Sequence, residues 1–431
     1  MTHSYHTTKL ANGLTIQLKE IHTAPIISHW LWYRVGSRDE VPGLTGISHW
    51  VEHMQFKGTP KFPAGNLDKV ISRTGGVWNA FTYLDWTAYF ETLPANDIDL
   101  AIELESDRMV NSLFEPEEVE SERTVIISER EGHENEPLFR LDEAIQMAAI
   151  TVHPYRNEVI GSKDDLHTIQ RSDLYQHYRS YYIPNNAVLA VAGDFDSAEM
   201  LHKIRTHYEP IPAGELNKLP VAQDPIQDGE KRVLVRGPGE TTFLRLTYAS
   251  PPANVDDFFA FTVLDSLLTG PSSLSFFGGG GISNKTSRLY RSLVERELAV
   301  GVSGGLQATI DPYLYGITAT VHPQHSADEV LVALDDEIKR LQDAKVSVGD
   351  VERAVKQARA QFAYSSENIT NQAFWLGFAE MFAGYHWFEG YLDTIQTVSP
   401  ADIQRIAQTY LQPERRVIGV YLPDDQAGGQ L

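Results

Sequence analysis

The sequence contains no cysteine. Disulfides and thiolate metal sites are therefore excluded, and histidine, aspartate and glutamate are left as the strong metal ligands. Positive charge is scarce as well: 36 Lys and Arg stand against 58 Asp and Glu, a formal net charge of −22 at pH 7. A nucleic-acid partner needs a basic surface, so that class drops out. The same balance would favour basic peptides if the acids lined a cavity; acids spread over a solvated surface are the plainer reading. Long apolar runs are missing too. The run from Ala187 to Ala192 falls far short of the ~20 residues a spanning helix needs, so no membrane span is expected. Met1 to Leu18 lack the basic start, apolar core and small-residue cleavage site of a secretory leader. On that reading the protein is soluble and cytoplasmic, or periplasmic if a leader has been removed.

What remains describes a globular protein. Hydrophobic content is 42% and charged content 22%, and 431 residues exceed one ordinary core. The chain reads as one unit written twice. Leu166-His167-Thr168-Ile169-Gln170 echoes Leu392-Asp393-Thr394-Ile395-Gln396, and the apolar stretches Val188 to Val191 and Val417 to Val420 follow. Each half also carries two consecutive helical patterns, Ile98 to Leu113 and Glu117 to Glu131, then Ala327 to Gln342 and Asp350 to Tyr364. In them apolar residues recur at steps of three and four, as at Val330, Leu334, Ile338 and Leu341.

Strand patterns, rich in β-branched and aromatic residues, precede the helix pairs: Leu14 to Leu18, Ile27 to Arg34, Val77 to Thr82 and Thr87 to Leu93, then Phe243 to Ala249 and Tyr313 to His322. Strands gathered apart from helix pairs predict an α+β fold with one sandwich of mostly antiparallel sheet and helices per half. A Pro- and Gly-containing polar stretch separates them. The expected division is residues 1–212, a linker 213–230, and residues 231–431.

The most informative stretch is His49-Trp50-Val51-Glu52-His53. On a helix, residues i and i+4 share a face, so His49 and His53 can offer two imidazoles to one metal ion. Glu52 then stands beside that metal. His-x-x-Glu-His is a zinc peptidase signature, the inverse of the commoner order; the bland alternative is two polar residues on the wet face of a helix. A catalytic zinc takes three protein ligands, so a carboxylate is required. In the helix from Glu117, Val119, Glu122, Ile126 and Glu129 fall on one face, and acids on a core-facing stripe need partners. Acids favoured at a helix start explain Glu117, Glu118 and Glu120, but Glu129 poorly.

Gly46-Ile47-Ser48-His49-Trp50-Val51-Glu52-His53-Met54-Gln55-Phe56-Lys57-Gly58-Thr59 resembles the metal helix of the pitrilysin/insulinase family, the inverzincins, in the branch of the mitochondrial processing peptidase. Glu122-Arg123-Thr124-Val125-Ile126-Ile127-Ser128-Glu129 matches that family's distal Glu-Arg-x-Val-Ile-x-x-Glu element. Gly75-Gly76-Val77-Trp78-Asn79-Ala80-Phe81-Thr82 resembles its Gly-Gly-x-x-Asn-Ala-x-Thr strand, and His153-Pro154-Tyr155 and Tyr182 to Asn186 match further stretches. The resemblance runs over essentially the whole chain.

It implies a zinc-dependent endopeptidase acting on unstructured peptides in an enclosed chamber, with one Zn2+ per chain held by His49, His53 and Glu129. Glu52 would be the general base, and Glu122 an accessory acid orienting a ligand. Asn79 and Ala80 would lie on an edge strand to which an extended substrate adds as a further strand; the alternative is that Asn79 only caps a hairpin turn.

The second half breaks the family pattern. Its first helical stretch, Phe258 to Leu268, has no histidine or glutamate, and Ala354 and Gln361 align with Glu122 and Glu129. Many relatives place an Arg and a Tyr after a Ser-Arg-Leu-Tyr-like segment to hold the substrate. Here Ser287-Arg288-Leu289-Tyr290 is followed by Val294 and Val300 at those positions; the alternative is that Arg296 serves as a shifted substitute. Neither valine can hydrogen-bond a carbonyl. The implied assembly is a heterodimer: this chain forms the zinc-bearing half of a clamshell, and a homologous partner subunit supplies the Arg/Tyr pair. A non-catalytic subunit of the same family is the competing reading. The run Gly278 to Gly281 lacks the Lys-Ser/Thr ending of a nucleotide loop, and the resemblance implies a substrate-facing loop.

Overall fold

Two sheets, each faced by helices, make up the computed structural model, which describes residues 5–216, 218, 220–272, 274 and 283–424. The first sheet contains β1 (Tyr5–Lys9), β2 (Thr15–Glu20), β3 (Ile26–Tyr33), β4 (Val77–Thr82), β5 (Thr87–Pro94) and β6 (Ala187–Gly193), in the order β1-β2-β6-β3-β5-β4. The second contains β7 (Lys231–Gly237), β8 (Phe243–Ser250), β9 (Ala299–Gly305), β10 (Tyr313–Val321) and β11 (Arg416–Pro423), in the order β7-β11-β8-β10-β9. Among the described residues only β2 with β6 and β7 with β11 run parallel. Matching β2, β6, β3, β5 and β4 to β7, β11, β8, β10 and β9 gives one strand order twice, as an internal duplication requires. The α+β class and the duplicated sandwich expected from the sequence are both present.

Burial explains the legible strands. β6 and β11 are buried along their whole length, so they read as unbroken apolar runs. The strands without a clear sequence signal are marginal in composition: β1 is a polar edge, β7 sets only Val233-Leu234-Val235 among three basic residues, and β9 carries three glycines among its seven residues. The four expected helices are Ile98–Asn111, Pro116–His133, Ala327–Asp343 and Val348–Tyr364. Ser326 and Ser347 start the last two by accepting the backbone N–H of Glu329 and Asp350.

The chain divides into two compact units, but not as one cut. Unit 1 comprises residues 1–130, 157–222 and 366–385; unit 2 comprises 131–156, 223–365 and 386–431. The change-over at 222 and 223 falls inside the 213–230 stretch, whereas two further segments depart from the linear division at 212 and 231. Packing is the reason. Helix Pro137–Ala149 sets Leu141 and Ile145 against Val417 and Tyr421 of β11. Helix Ile369–Phe382 sets Phe374 against Trp30 and Trp32 of β3, with ring centroids 5.4 Å apart in both pairs. Spatial neighbours this far apart in the chain leave no local sequence signal. No helix among the described residues is long and apolar enough to cross a membrane. The run Gly278 to Gly281 lies outside the described residues.

Candidate metal centre

The helix Ile47–Met54 buries Ile47, Trp50, Val51 and Met54, which turns His49 and His53 to its other side. Its start is fixed by two residues. Gly46 adopts φ 87°, a left-handed conformation that costs glycine little. Glu40, itself buried, accepts the N–H groups of Gly46 at 2.8 Å and Ser48 at 2.9 Å, satisfying donors the helix cannot. Burial raises the Glu40 pKa to about 7 although those N–H groups pull it down.

Helix Pro116–His133 brings Glu122 and Glu129 to the two histidines because Val119 and Ile126, on the same stripe, are fully buried. Arg123 helps seat it: the guanidinium lies 4.6 Å from the centroid of the Trp50 ring and donates to the carbonyls of Leu166 and Ile169.

Oε2 of Glu129 lies 3.6 Å from Nε2 of His53 and 4.0 Å from Nε2 of His49. A ligand atom from each of the three residues falls within 4.8 Å of the others. Tetrahedral zinc with bonds near 2.1 Å separates its ligand atoms by about 3.4 Å, so two imidazoles and a carboxylate so placed fit the ion with small side-chain adjustment. Among the described residues this is the one such group.

The residues around this group set its electrostatics. Nδ1 of His53 lies 2.8 Å from Oε1 of Glu122, an arrangement in which Nδ1–H donates to the carboxylate while Nε2 is turned to Glu129. Burial works against charge on His53, but Glu122 and the neighbouring carboxylates outweigh it and hold the pKa above the ordinary histidine value. Burial likewise acts against Glu122, whose pKa is nevertheless lowered by His53 and by Lys57, which forms an ion pair with its second oxygen.

Glu52 is buried, and burial raises its pKa to about 7; the hydroxyl of Thr82 donates to Oε2 at 2.7 Å and opposes the rise, as does His53, while Glu129 adds to it. A carboxylate poised near neutrality suits proton transfer in both directions.

Asn79 and Ala80 sit on β4, at the open edge of the first sheet, paired through β5 with Phe90 and Tyr89. Asn79 is exposed, and its Oδ1 accepts the N–H of Ala80 at 2.9 Å. In the second half, Ala354 and Gln361 are buried in helix Val348–Tyr364, and helix Asp256–Leu268 carries neither histidine nor glutamate. Val300 is 60% exposed on β9, and Arg296 is exposed. Thr82, Lys57 and Glu40 carry no role that the sequence motifs declare. Thr82 and Lys57 stood inside the quoted motifs, whereas Glu40 gave no signal because only the fold brings it to the helix start.

Two family models cover the chain in succession: Insulinase (Peptidase family M16) over residues 15–163, and Peptidase M16 inactive domain over residues 168–358. An uncharacterized zinc protease of Streptomyces coelicolor is 29% identical over 433 residues, spanning 97% of this chain and 90% of the relative. Mitochondrial-processing peptidase subunit beta of Lentinula edodes is 26% identical over 407 residues, spanning 93% of this chain and 86% of the relative. A crystal structure of a protease from Helicobacter pylori matches with a TM-score of 0.89 at 25% identity, over 98% of this chain and 100% of that one. With two unlike halves matched to the two domains of one family, and a duplicated sandwich fold to go with them, the chain belongs to the insulinase family, peptidase family M16.

Proposed function

We propose that this chain is a zinc-dependent endopeptidase that hydrolyses unstructured peptides. The observation that carries the reading is the convergence of His49, His53 and Glu129 within 4.8 Å, with the buried carboxylate of Glu52 on the same helix. When bound, zinc supplies Lewis acidity toward the peptide carbonyl and toward water. His49, His53 and Glu129 hold the ion, and the Glu122 carboxylate fixes the ring and tautomer of His53. Glu52, held by Thr82, takes a proton from the attacking water and returns it to the departing amine. The free edge of β4 at Asn79 and Ala80 receives the peptide as an added strand, a backbone pairing that leaves sequence preference loose. With 58 acids against 36 bases, basic peptides are favoured wherever those acids line the chamber.

Val294 and Val300 stand where an Arg/Tyr pair would hold the substrate, so a homologous partner subunit supplies that pair and completes the chamber. The second reading, a non-catalytic subunit, draws on the same two valines and on the inactive-domain model over residues 168–358. Metal analysis and peptide hydrolysis, with the chain alone and with the partner that co-purifies from its host, separate the two. Glu52→Gln is expected to keep about one zinc and lose turnover; His49→Ala and Glu129→Ala are expected to lose both. Zinc retained at full stoichiometry in either ligand variant would overturn the site, and a catalytically competent homodimer would overturn the partner.

A further inference from the structure

Unit 2 has lost the metal ligands, yet it contains a cavity of about 370 Å³ between the end of helix Pro137–Ala149, residues 223–227 and strands β8, β10 and β11. That volume lies in the range of small-molecule sites. Much of the lining is apolar or aromatic, including Ile226, Tyr313, Leu314 and Val417. Ile226 is 77% exposed, an aliphatic side chain left in water beside an apolar hollow.

Two polar groups of the lining bear on what it could bind. Thr247 is only 2% exposed, and its hydroxyl makes no hydrogen bond. A buried hydroxyl without a partner is costly, and a ligand atom that pairs with it recovers that cost. Arg415, exposed on the lining, forms no ion pair among the described residues; the ion pairs with Glu230 and Asp335 belong to its neighbour Arg416. The lining acid, Asp224, is by contrast fully committed: it accepts the N–H groups of Thr151, Val152 and His153 at 2.6, 3.0 and 2.9 Å, and the Thr151 hydroxyl at 2.6 Å. His153 is turned to Asp311 at 3.1 Å. The unmatched chemistry thus includes a cation, a buried hydroxyl and an apolar wall.

We propose that this cavity binds a small carboxylate with an aromatic or branched aliphatic body, free or as the C-terminal residue of a peptide. The carboxylate pairs with Arg415, the body packs against Leu314 and Val417, and a polar atom meets Thr247. The site is independent of the zinc-peptidase reading.

Calorimetric titration of the metal-stripped full chain tests it, because no carboxylate can then be taken up by zinc. The probes are 3-phenylpropionate, 3-phenylpropylamine, and Ala-Ala-Phe with a free or amidated C-terminus. Saturable binding of a carboxylate is expected, at least tenfold tighter than its amine or amide counterpart. Arg415→Gln is expected to weaken it about tenfold. Thr247→Val is expected to weaken it about fivefold while raising the thermal midpoint of the ligand-free protein, since it deletes an unsatisfied group. Binding by the free-acid peptide alone identifies a peptide C-terminus as the source; binding by 3-phenylpropionate identifies a free small acid. Absence of binding by both, equal binding of the neutral or cationic counterparts, or unchanged affinity in either variant overturns the proposal.

Discussion

The hydroxyl of Thr82, on β4, donates a 2.7 Å hydrogen bond to Oε2 of Glu52, on the helix that carries both histidines. One side chain thus ties the strand proposed to receive substrate to the residue proposed as base. Thr82→Val keeps the shape and removes the bond. Zinc content is expected to stay at the wild-type level while kcat falls about tenfold, the equivalent of about 1.4 kcal/mol. Because Thr82 lowers the Glu52 pKa, the acid limb of the kcat profile should move to higher pH. An unchanged rate and profile would remove Thr82 from the machinery.

Lys57 acts one step further out, through its ion pair with Glu122. Lys57→Met leaves one Glu122 oxygen without its cation and loosens the carboxylate that orients His53. Competition with a chelating indicator is expected to show zinc affinity reduced roughly tenfold, the lower end of what supporting residues around metal ligands contribute. Lys57→Arg, which keeps the charge, is expected to restore most of it. Equal affinity in all three proteins would show that Glu122 needs no such support.

His177 supplies a pH dependence separate from the candidate metal centre. It is buried beside Ser48, with Nε2 3.3 Å from the serine hydroxyl, and burial lowers its pKa to about 3. The unfolded chain takes up this proton below about pH 6.5 and the folded chain does not. Its contribution to stability is therefore complete above pH 6.5 and declines as pH falls toward 3. In urea unfolding of metal-stripped protein, wild type should lose about 1.4 kcal/mol more than His177→Gln between pH 7.5 and pH 5.5. Parallel losses in the two proteins would show that His177 protonates in the folded state.

Gly377 tests the packing of helix Ile369–Phe382. A methyl group there would sit 2.0 Å from Nε1 of Trp32, a ring fully buried under the sheet's helix layer. Gly377→Ala is expected to cost about 3 kcal/mol by overpacking, read as a lower denaturation midpoint. A neutral effect would mean that the helix does not lie against β3.

Much of this was written in local pattern. The apolar runs of β6 and β11, the three-and-four spacing along Ala327–Asp343, and the five residues from His49 to His53 each report their own surroundings. Glu129 was harder: its helix position is legible, but its pairing with a histidine far back in the chain came from family resemblance. Glu40 and the exchanged helices could not be read at all. A carboxylate that closes a helix start six residues away looks like any surface acid, and Leu141 opposite Val417 is a contact with no periodicity behind it.

That exchange bears on how the protein can be taken apart. A gene divided within codons 213–230 would encode two pieces, each short of a helix needed to cover its own sheet and each carrying one that fits the other. Neither polypeptide should be stable when made alone, whereas the pair made together should assemble. The duplication that generated this chain has become a mutual dependence, so its ancestral half is no longer recoverable by trimming.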